Sequence, residues 1–555
     1  MKVSDVLAEA LVRRGVRHVF CVMGDGNLDL LTALAARGVE LVHARHEQNA
    51  TAMADGYTRA GRGFGVCCVT QGPGLTQTAT SLLVARRARS PVLLIAGDTP
   101  REDRHHIQNF DQRAFAEATA GAVLDLRTPQ TLGEDLRLVF RHLGSGRGPL
   151  VLNAPLDVQL SPAHEVPWER EGARTWSGVP PKAMIDRAIF LLTRASRPAL
   201  LAGRGALGAQ TQLAELADRL GAPIATSLLA KGLLASHPLT VGVSGGLGSS
   251  LAERHLGEAD CVLAVGASLN TWTTRNGTLL TGAEVIQIDS DPDSLGDHFP
   301  GALQLAGDAA LTLDAILGSP ALGSARDGQR RDTLEKLIAA GAVAAIEFRD
   351  GKGTLDPRRV MVGLDHALEE SRFVVSDGGH FCAFPCQLLT VTTPDRFVFA
   401  PSFGCIGQGL GIAIGASFAR PGQRVTLVAG DGSFLMNIQE LETAVRYRVP
   451  LTVVVLNDQG LGQEFHTLRA KGLPPESALI PTPDLGGVAE GFGAEGHLVT
   501  DLPGLSAMMA AISATSAAEG PVVFDVRTNP AVVSEAAAAI FDTMRPAVSR
   551  QNSGR

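Results

Sequence analysis

No lysine- or arginine-rich run occurs anywhere in the 555 residues, and the net charge is −8 with an isoelectric point near 6.0. Nucleic acids and anionic membrane surfaces both call for a concentrated basic face, so neither is expected as a partner. Long uninterrupted apolar stretches are also missing: the least polar segment, 402–419, is broken repeatedly by glycine and by Gln408, which leaves no candidate for a membrane span. The N-terminus runs directly into an amphipathic helix pattern (Val6, Leu7, Ala10, Leu11) without the apolar core of a signal peptide, so a cytoplasmic enzyme is expected. Cysteine is scarce and unpaired. Seven cysteines, an odd number with no CxxC pair, suit a reducing compartment, and Cys67, Cys68 and Cys261 lie inside apolar strand patterns where buried thiols are common. Cys382 and Cys386 are read as core thiols rather than metal ligands.

What is present is a threefold alternation of short Val/Leu/Ile runs with amphipathic helices, the mark of α/β domains with mainly parallel sheets covered by helices on both faces. A length of 555 residues with 45% hydrophobic residues suits three ordinary domains. We expect them at 1–160, 181–318 and 354–530, with a C-terminal tail at 531–555 that starts Ala-rich and ends loose. Proline-bearing or Gly/Ala/Arg-rich linkers at 161–181 and 319–331 separate them. The middle block has a Rossmann-like pattern at Leu200 to Gly205 and at Glu284 to Asp289. Its phosphate-binding glycine fingerprint is incomplete, and the glycines of 242–248 have no clear strand before them. A nicotinamide oxidoreductase is therefore not expected.

The third block holds the most informative motif, Gly430-Asp431-Gly432, with Asn457-Asp458 at the end of the next apolar run. The pattern predicts a strand over 424–429, a helix over 436–447 and a strand over 451–456. An Asp at one strand end and an oxygen ligand at the next can share a hard cation and leave room for phosphates. Gly430 and Gly432 permit a tight turn with close backbone approach. Ser433 would lie at a helix N-terminus, where free amides and the dipole favour a phosphate. Gly24-Asp25-Gly26 provides the contrast, since position 52, lying 27 residues past Asp25, is Ala.

These motifs resemble the signature of thiamine-diphosphate-dependent enzymes, and nearly the whole chain resembles the branch that holds acetohydroxyacid synthases, 2-oxo acid decarboxylases and benzaldehyde lyase. The resemblance implies that thiamine diphosphate is bound with Mg2+, the metal held by Asp431, the side chain of Asp458 and the backbone carbonyl of Gly460. The family usually has Asn-Asn at 457–458, so a carboxylate here replaces one neutral ligand. The turn His46-Glu47-Gln48-Asn49 matches the family's glutamate motif, and Glu47 would bond the cofactor's pyrimidine and stabilise its imino tautomer. Ile406 would support the bent cofactor, with the Gly404 carbonyl receiving its amino group. Thr70-Gln71-Gly72-Pro73-Gly74 would form the pyrimidine-domain loop, and His380 would lie near the diphosphate. Asp25, His105, His106 and Glu464 fall near the proton donors of the decarboxylases, whereas Gln112 resembles the active-site glutamine of the carboligases.

In this family a 2-oxo acid adds to the cofactor, loses carbon dioxide and leaves an enamine carbanion, which is protonated to an aldehyde or passed to a second carbonyl to give a 2-hydroxy ketone. Decarboxylation is the expected outcome, with carboligation on a 2-oxo acid or aldehyde as the alternative. A non-catalytic cofactor-binding protein is the alternative from another class, and intact Glu47 and Asp431 argue against it. Some members carry FAD or ADP in the central domain and some carry nothing, which is the expectation here. Because Glu47 and Asp431 lie in different domains, which come from different subunits in the family, a homodimer or homotetramer with active sites at the subunit interface is implied.

Overall fold

The computed structural model describes residues 1–61, 63–164, 178–322, 328–342, 346–515, 520–534 and 537–538. Three six-stranded sheets form among the described residues, and the strands in each pair in parallel. In spatial order the first sheet runs Glu40–His43, His18–Cys21, Gly65–Val69, Val92–Asp98, Leu150–Pro155, Val123–Asp125. The third repeats that order with Phe397–Phe399, Phe373–Ser376, Val425–Gly430, Leu451–Asn457, Val522–Arg527, Glu495–Val499. The central sheet runs Leu303–Ala306, Glu284–Asp289, Cys261–Val265, Pro198–Ala202, Ile224–Thr226, Thr240–Val243. Central strands such as Val425–Gly430 and Leu451–Asn457 are buried along their whole length, as a parallel sheet covered on both faces demands.

Two expectations need correcting. Thr240–Val243 is a strand, so the glycines that follow it do join a strand to the helix Ser250–Gly257. Its four residues include Gly242 at φ +92°, and its pairing with Ile224–Thr226 carries a register shift. A run that short and irregular leaves too little period-2 signal to read. The helix expected over 436–447 spans only Glu440–Arg446; a separate short helix, Asp431–Leu435, precedes it, and in the turn between them Asn437 accepts from Asn49 of the first domain. The expected linkers at 161–181 and 319–331 fall partly, and the tail at 531–555 mostly, outside the described residues.

The first and third domains share one continuous apolar core, whereas the central domain has its own. Helix Glu47–Ala60 lies against helix Gly409–Ala419 at backbone contact distance. A Cβ on Gly56 would stand 2.7 Å from the Ile412 carbonyl carbon, and one on Gly415 would stand 2.6 Å from that of Met53. Small residues on both sides let the helices approach this closely, and Glu47 opens the first of them. The central domain is tied on by side chains: Lys231 Nζ donates to the Cys386 carbonyl at 2.7 Å, and Arg204 donates to that of Ala88 at 2.7 Å. All seven cysteines are free, and six are buried.

Candidate active site

Strands Val425–Gly430 and Leu451–Asn457 run in register with Gly430 opposite Leu456, so their carboxyl ends deliver Asp431 and Asp458 to the same place. Asp431 is the first residue of its short helix and only 2% exposed. Burial pushes its carboxyl up to about 6. Burial, reinforced by the Asp431 charge, pushes Asp458 up to about 7, and the Gly460 amide bonds both carboxyls. Among the described residues neither carboxylate has a lysine or arginine partner. His380 Nδ1 lies 3.5 Å from Asp458 Oδ2, but burial and the neighbouring His466 hold the imidazole down to about 3, so it is neutral and offers no compensating charge. Two crowded carboxylates without a cationic neighbour are what a hard divalent cation would relieve. Among the described residues no group of three or more His, Cys, Asp or Glu is arranged to hold a metal ion by itself, so further ligands to such a cation would come from backbone carbonyls, phosphate or water.

The surroundings fix this pair. Asn457 faces away from it, donating to Asp525 Oδ1 at 2.8 Å and Thr482 Oγ1 at 3.0 Å, which leaves Asp458 as the side chain at the site. Ser433 spends its hydroxyl on its own turn, accepting from the Gly430 amide and donating to the Gly430 carbonyl, each at 3.0 Å. Gly430 is required by the Phe381 ring, 2.9 Å from where a Cβ would be, while at Gly432 the nearest atom is Leu461 Cδ2 at 3.4 Å. Gly462 was not anticipated from sequence. A Cβ there would overlap the His380 imidazole and stand 2.5 Å from Asp458 Oδ2.

The glycine-rich segment 404–409 meets the turn after helix Asp431–Leu435, where Asn437 donates to the Gly407 carbonyl, and is stapled by a buried residue that sequence reasoning missed. Asp377 accepts from the amides of Gly378, Gly407 and Gly409 at 2.7, 3.1 and 3.0 Å, and burial raises its carboxyl to about 6. Its only sequence signal was position, an Asp-Gly-Gly just past an apolar strand. Gly404 has φ +79° with open space around it, and half-buried Ile406 reaches toward Gly378.

Glu47 begins its helix at N1, half-buried, behind an N-cap in which His46 Nδ1 accepts from the Gln48 amide at 3.1 Å. Its carboxylate receives no hydrogen bond from the described residues. Asp25, in a short turn, and His105 are exposed, while His106 is half-buried. The loop bearing the histidines is pinned to the Thr70–Gly74 segment by amide side chains. Gln71 Nε2 donates to Gln108 Oε1 at 2.7 Å, the Gly72 amide donates to Gln112 Oε1 at 2.8 Å, and Gln112 Nε2 donates to the Gly97 carbonyl at 2.9 Å. Gln112 is 3% exposed and bonds backbone with both ends of its amide, joining the Gly72 turn to strand Val92–Asp98. Gln108 was missed because amide pairs carry no spacing signature. Glu464 is exposed on helix Gly462–Ala470, on the wall of a cleft of about 370 Å³ lined also by Leu461, Thr467, Leu468, Ser477 and Ala478.

The candidates thus form two groups, one at the carboxyl edge of each outer sheet. Among the described residues no hydrogen bond or ion pair joins Asp25, Glu47, His105 or His106 to Asp431, Asp458, His380 or Glu464.

Three family models match in order: thiamine pyrophosphate enzyme, N-terminal TPP binding domain, over residues 1–117; the central domain over 185–316; and the C-terminal TPP binding domain over 377–526. The chain is 30% identical over 507 residues to the acetolactate synthase isozyme 3 large subunit of Escherichia coli (strain K12), covering 88% of each chain. It is 33% identical over 510 residues, again 88% of each, to a probable 2-ketoarginine decarboxylase of Pseudomonas aeruginosa. It is also 30% identical over 539 residues to a sulfoacetaldehyde acetyltransferase of Alcaligenes xylosoxydans xylosoxydans, covering 90% of this chain and 88% of that one. With matches spread over all three α/β domains, the chain belongs to the thiamine pyrophosphate enzymes, in their acetolactate synthase branch.

Proposed function

We propose that the protein binds thiamine diphosphate with Mg2+ and decarboxylates a small 2-oxo acid. The observation that carries this reading is the pair of buried carboxylates, Asp431 and Asp458, raised toward neutrality at adjacent parallel strand ends with Gly460 beside them. When bound, thiamine diphosphate supplies an electron sink next to the substrate carbonyl. Asp431, Asp458 and the Gly460 carbonyl would hold the cation, and the amides at the start of helix Asp431–Leu435 would face the diphosphate. The open, left-handed turn at Gly404 presents a carbonyl, and Ile406 an apolar support, for the rest of the cofactor. Glu47, with no hydrogen-bond partner for its carboxylate among the described residues, would hold a proton against the pyrimidine ring.

Asp25, His105, His106 and Glu464 are the groups available to deliver a proton after carbon dioxide leaves. Because no hydrogen bond or ion pair among the described residues joins Glu47 to the two-carboxylate site, we infer that a second copy completes each site. Carboligation remains the second reading, favoured by the acetolactate synthases and the acetyltransferase among the relatives.

The test is to load the protein with Mg2+ and thiamine diphosphate, supply pyruvate and bulkier 2-oxo acids with and without an added aldehyde, and measure carbon dioxide together with products. Aldehyde alone supports decarboxylation, a 2-hydroxy ketone supports carboligation, and no carbon dioxide from any donor refutes decarboxylation and means that the donor is not a 2-oxo acid. Glu47→Gln should abolish turnover while leaving the fold intact by circular dichroism; full activity in that variant refutes the role of Glu47.

A further inference from the structure

Glu440 is a fully buried carboxylate in the third domain whose hydrogen bonds reach into the first. Its Oε1 accepts from the Arg45 amide at 2.9 Å and from Asn49 Nδ2 at 3.2 Å, Thr443 Oγ1 donates to Oε2 at 2.7 Å, and the His46 amide also approaches it. Arg45, His46 and Asn49 bracket Glu47 on both sides. An anion in front of the first turn of helix Glu47–Ala60 also meets the positive end of that helix. The same network continues: Asn49 Nδ2 donates to Asn437 Oδ1 at 3.0 Å, and Asn437 Nδ2 donates to the Gly407 carbonyl, one residue past Ile406. A carboxylate removed from water in this way needs a structural return, and all of its bonds go to one turn and its support.

We propose that Glu440 is a positioning residue for Glu47, holding the turn from which the Glu47 carboxylate projects and tying that turn through Asn49 and Asn437 to the segment 404–407. Glu440 touches no reacting atom. This rests on the reading of Glu47 as the group that meets the cofactor, and the experiment keeps the two ideas apart.

Hydrogen–deuterium exchange of the cofactor-free protein reports the backbone at 44–50 directly. Hydrogen bonds to a buried charge are strong enough that Glu440→Ala should speed exchange there on the order of ten- to a hundredfold, with Glu440→Gln, which keeps an oxygen for Arg45 and Asn49, falling between it and the wild type. On the loaded protein, NMR follows exchange of the cofactor's C2 proton with deuterium oxide. That rate should fall about tenfold in Glu440→Ala and recover partly in Glu440→Gln, while the thiamine diphosphate Kd moves less than about threefold, since one unit of lost preorganisation is a tenfold effect. Glu440→Gln also guards against a misfolded alanine variant.

Unchanged backbone exchange at 44–50 in both variants overturns the proposal, whatever Glu47 does. Loss of cofactor affinity in step with the C2 exchange rate also overturns it, because general loosening of the domain seam would then suffice. If Glu47→Gln leaves C2 exchange at the wild-type rate, the underlying reading of Glu47 falls and takes the proposal with it.

Discussion

Replacing Gly415 with Ala should force apart the two helices that join the first and third domains. A Cβ there would stand 2.6 Å from the Met53 carbonyl carbon, against an ordinary contact of at least 3.4 Å. The obstacle is backbone in the interior of helix Glu47–Ala60, so no rotamer change can relieve it. The helices would have to separate by roughly 1 Å, which close-packed interiors resist. Overpacking of this kind costs about 1–3 kcal/mol, and a rigid partner places the cost near the top of that range. Alanine is the better helix former by about 1 kcal/mol, so the net loss should be about 2 kcal/mol.

The control is Gly257→Ala, at the end of helix Ser250–Gly257, where a Cβ would meet nothing within 4 Å. Urea denaturation followed by circular dichroism should show a lower midpoint for Gly415→Ala and a midpoint at or above wild type for Gly257→Ala. Gly56→Ala, facing the Ile412 carbonyl in the same crossing, should behave like Gly415→Ala. The double variant should cost less than the sum, because one separation relieves both clashes. Equal midpoints for Gly415→Ala and Gly257→Ala, or strict additivity in the double variant, would refute the close-crossing argument.

Two further outcomes follow from the site and the domain seam. Gly462→Ala places a methyl group between His380 and Asp458, so the concentration of Mg2+ needed to saturate cofactor binding should rise at least about tenfold, as expected where a ligand is displaced by steric overlap; an unchanged Mg2+ titration counts against Asp458 as a ligand. Hydrogen bonds from Arg45 and Arg446 hold the Glu442 carboxyl down at about 2, against an ordinary value of 4.5, and the Arg45 contact at 2.6 Å crosses from the first domain to the third. A depressed folded-state value means that this stabilisation is complete above about pH 4.5 and is lost as pH falls toward 2. Glu442→Gln should flatten that part of the acid-stability curve, the more so at low salt, and an identical curve for the variant would show that the pair contributes nothing.

Periodicity read the alternating architecture correctly, because buried parallel strands are continuous apolar runs and the helices between them must show one apolar face. The strand ends bearing Asp431 and Asp458 were legible for the same reason: Asp431 is the first polar side chain after one such run, and Asp458 follows Asn457 at the end of the next. The strand at Thr240–Val243 was not, being too short and too rich in glycine to carry a period. Nor was the break between Asp431–Leu435 and Glu440–Arg446, where Asn49 of the first domain donates to Asn437 across a seam hundreds of residues away in the chain.

Local sequence therefore determined which residues could bear charge at strand ends and which runs had to be buried, since both depend on neighbours within a few positions. Tertiary structure alone decided which charges are unpaired. That the Gln112 amide bonds Gly72 and Gly97 is visible only in the fold, and Glu440 and Asp377 look like surface acids until burial puts backbone amides around them. The spacing of glycines reveals that something must come close, and only the packed fold shows that for Gly462 it is His380 and Asp458, and for Gly415 the backbone of the Glu47 helix.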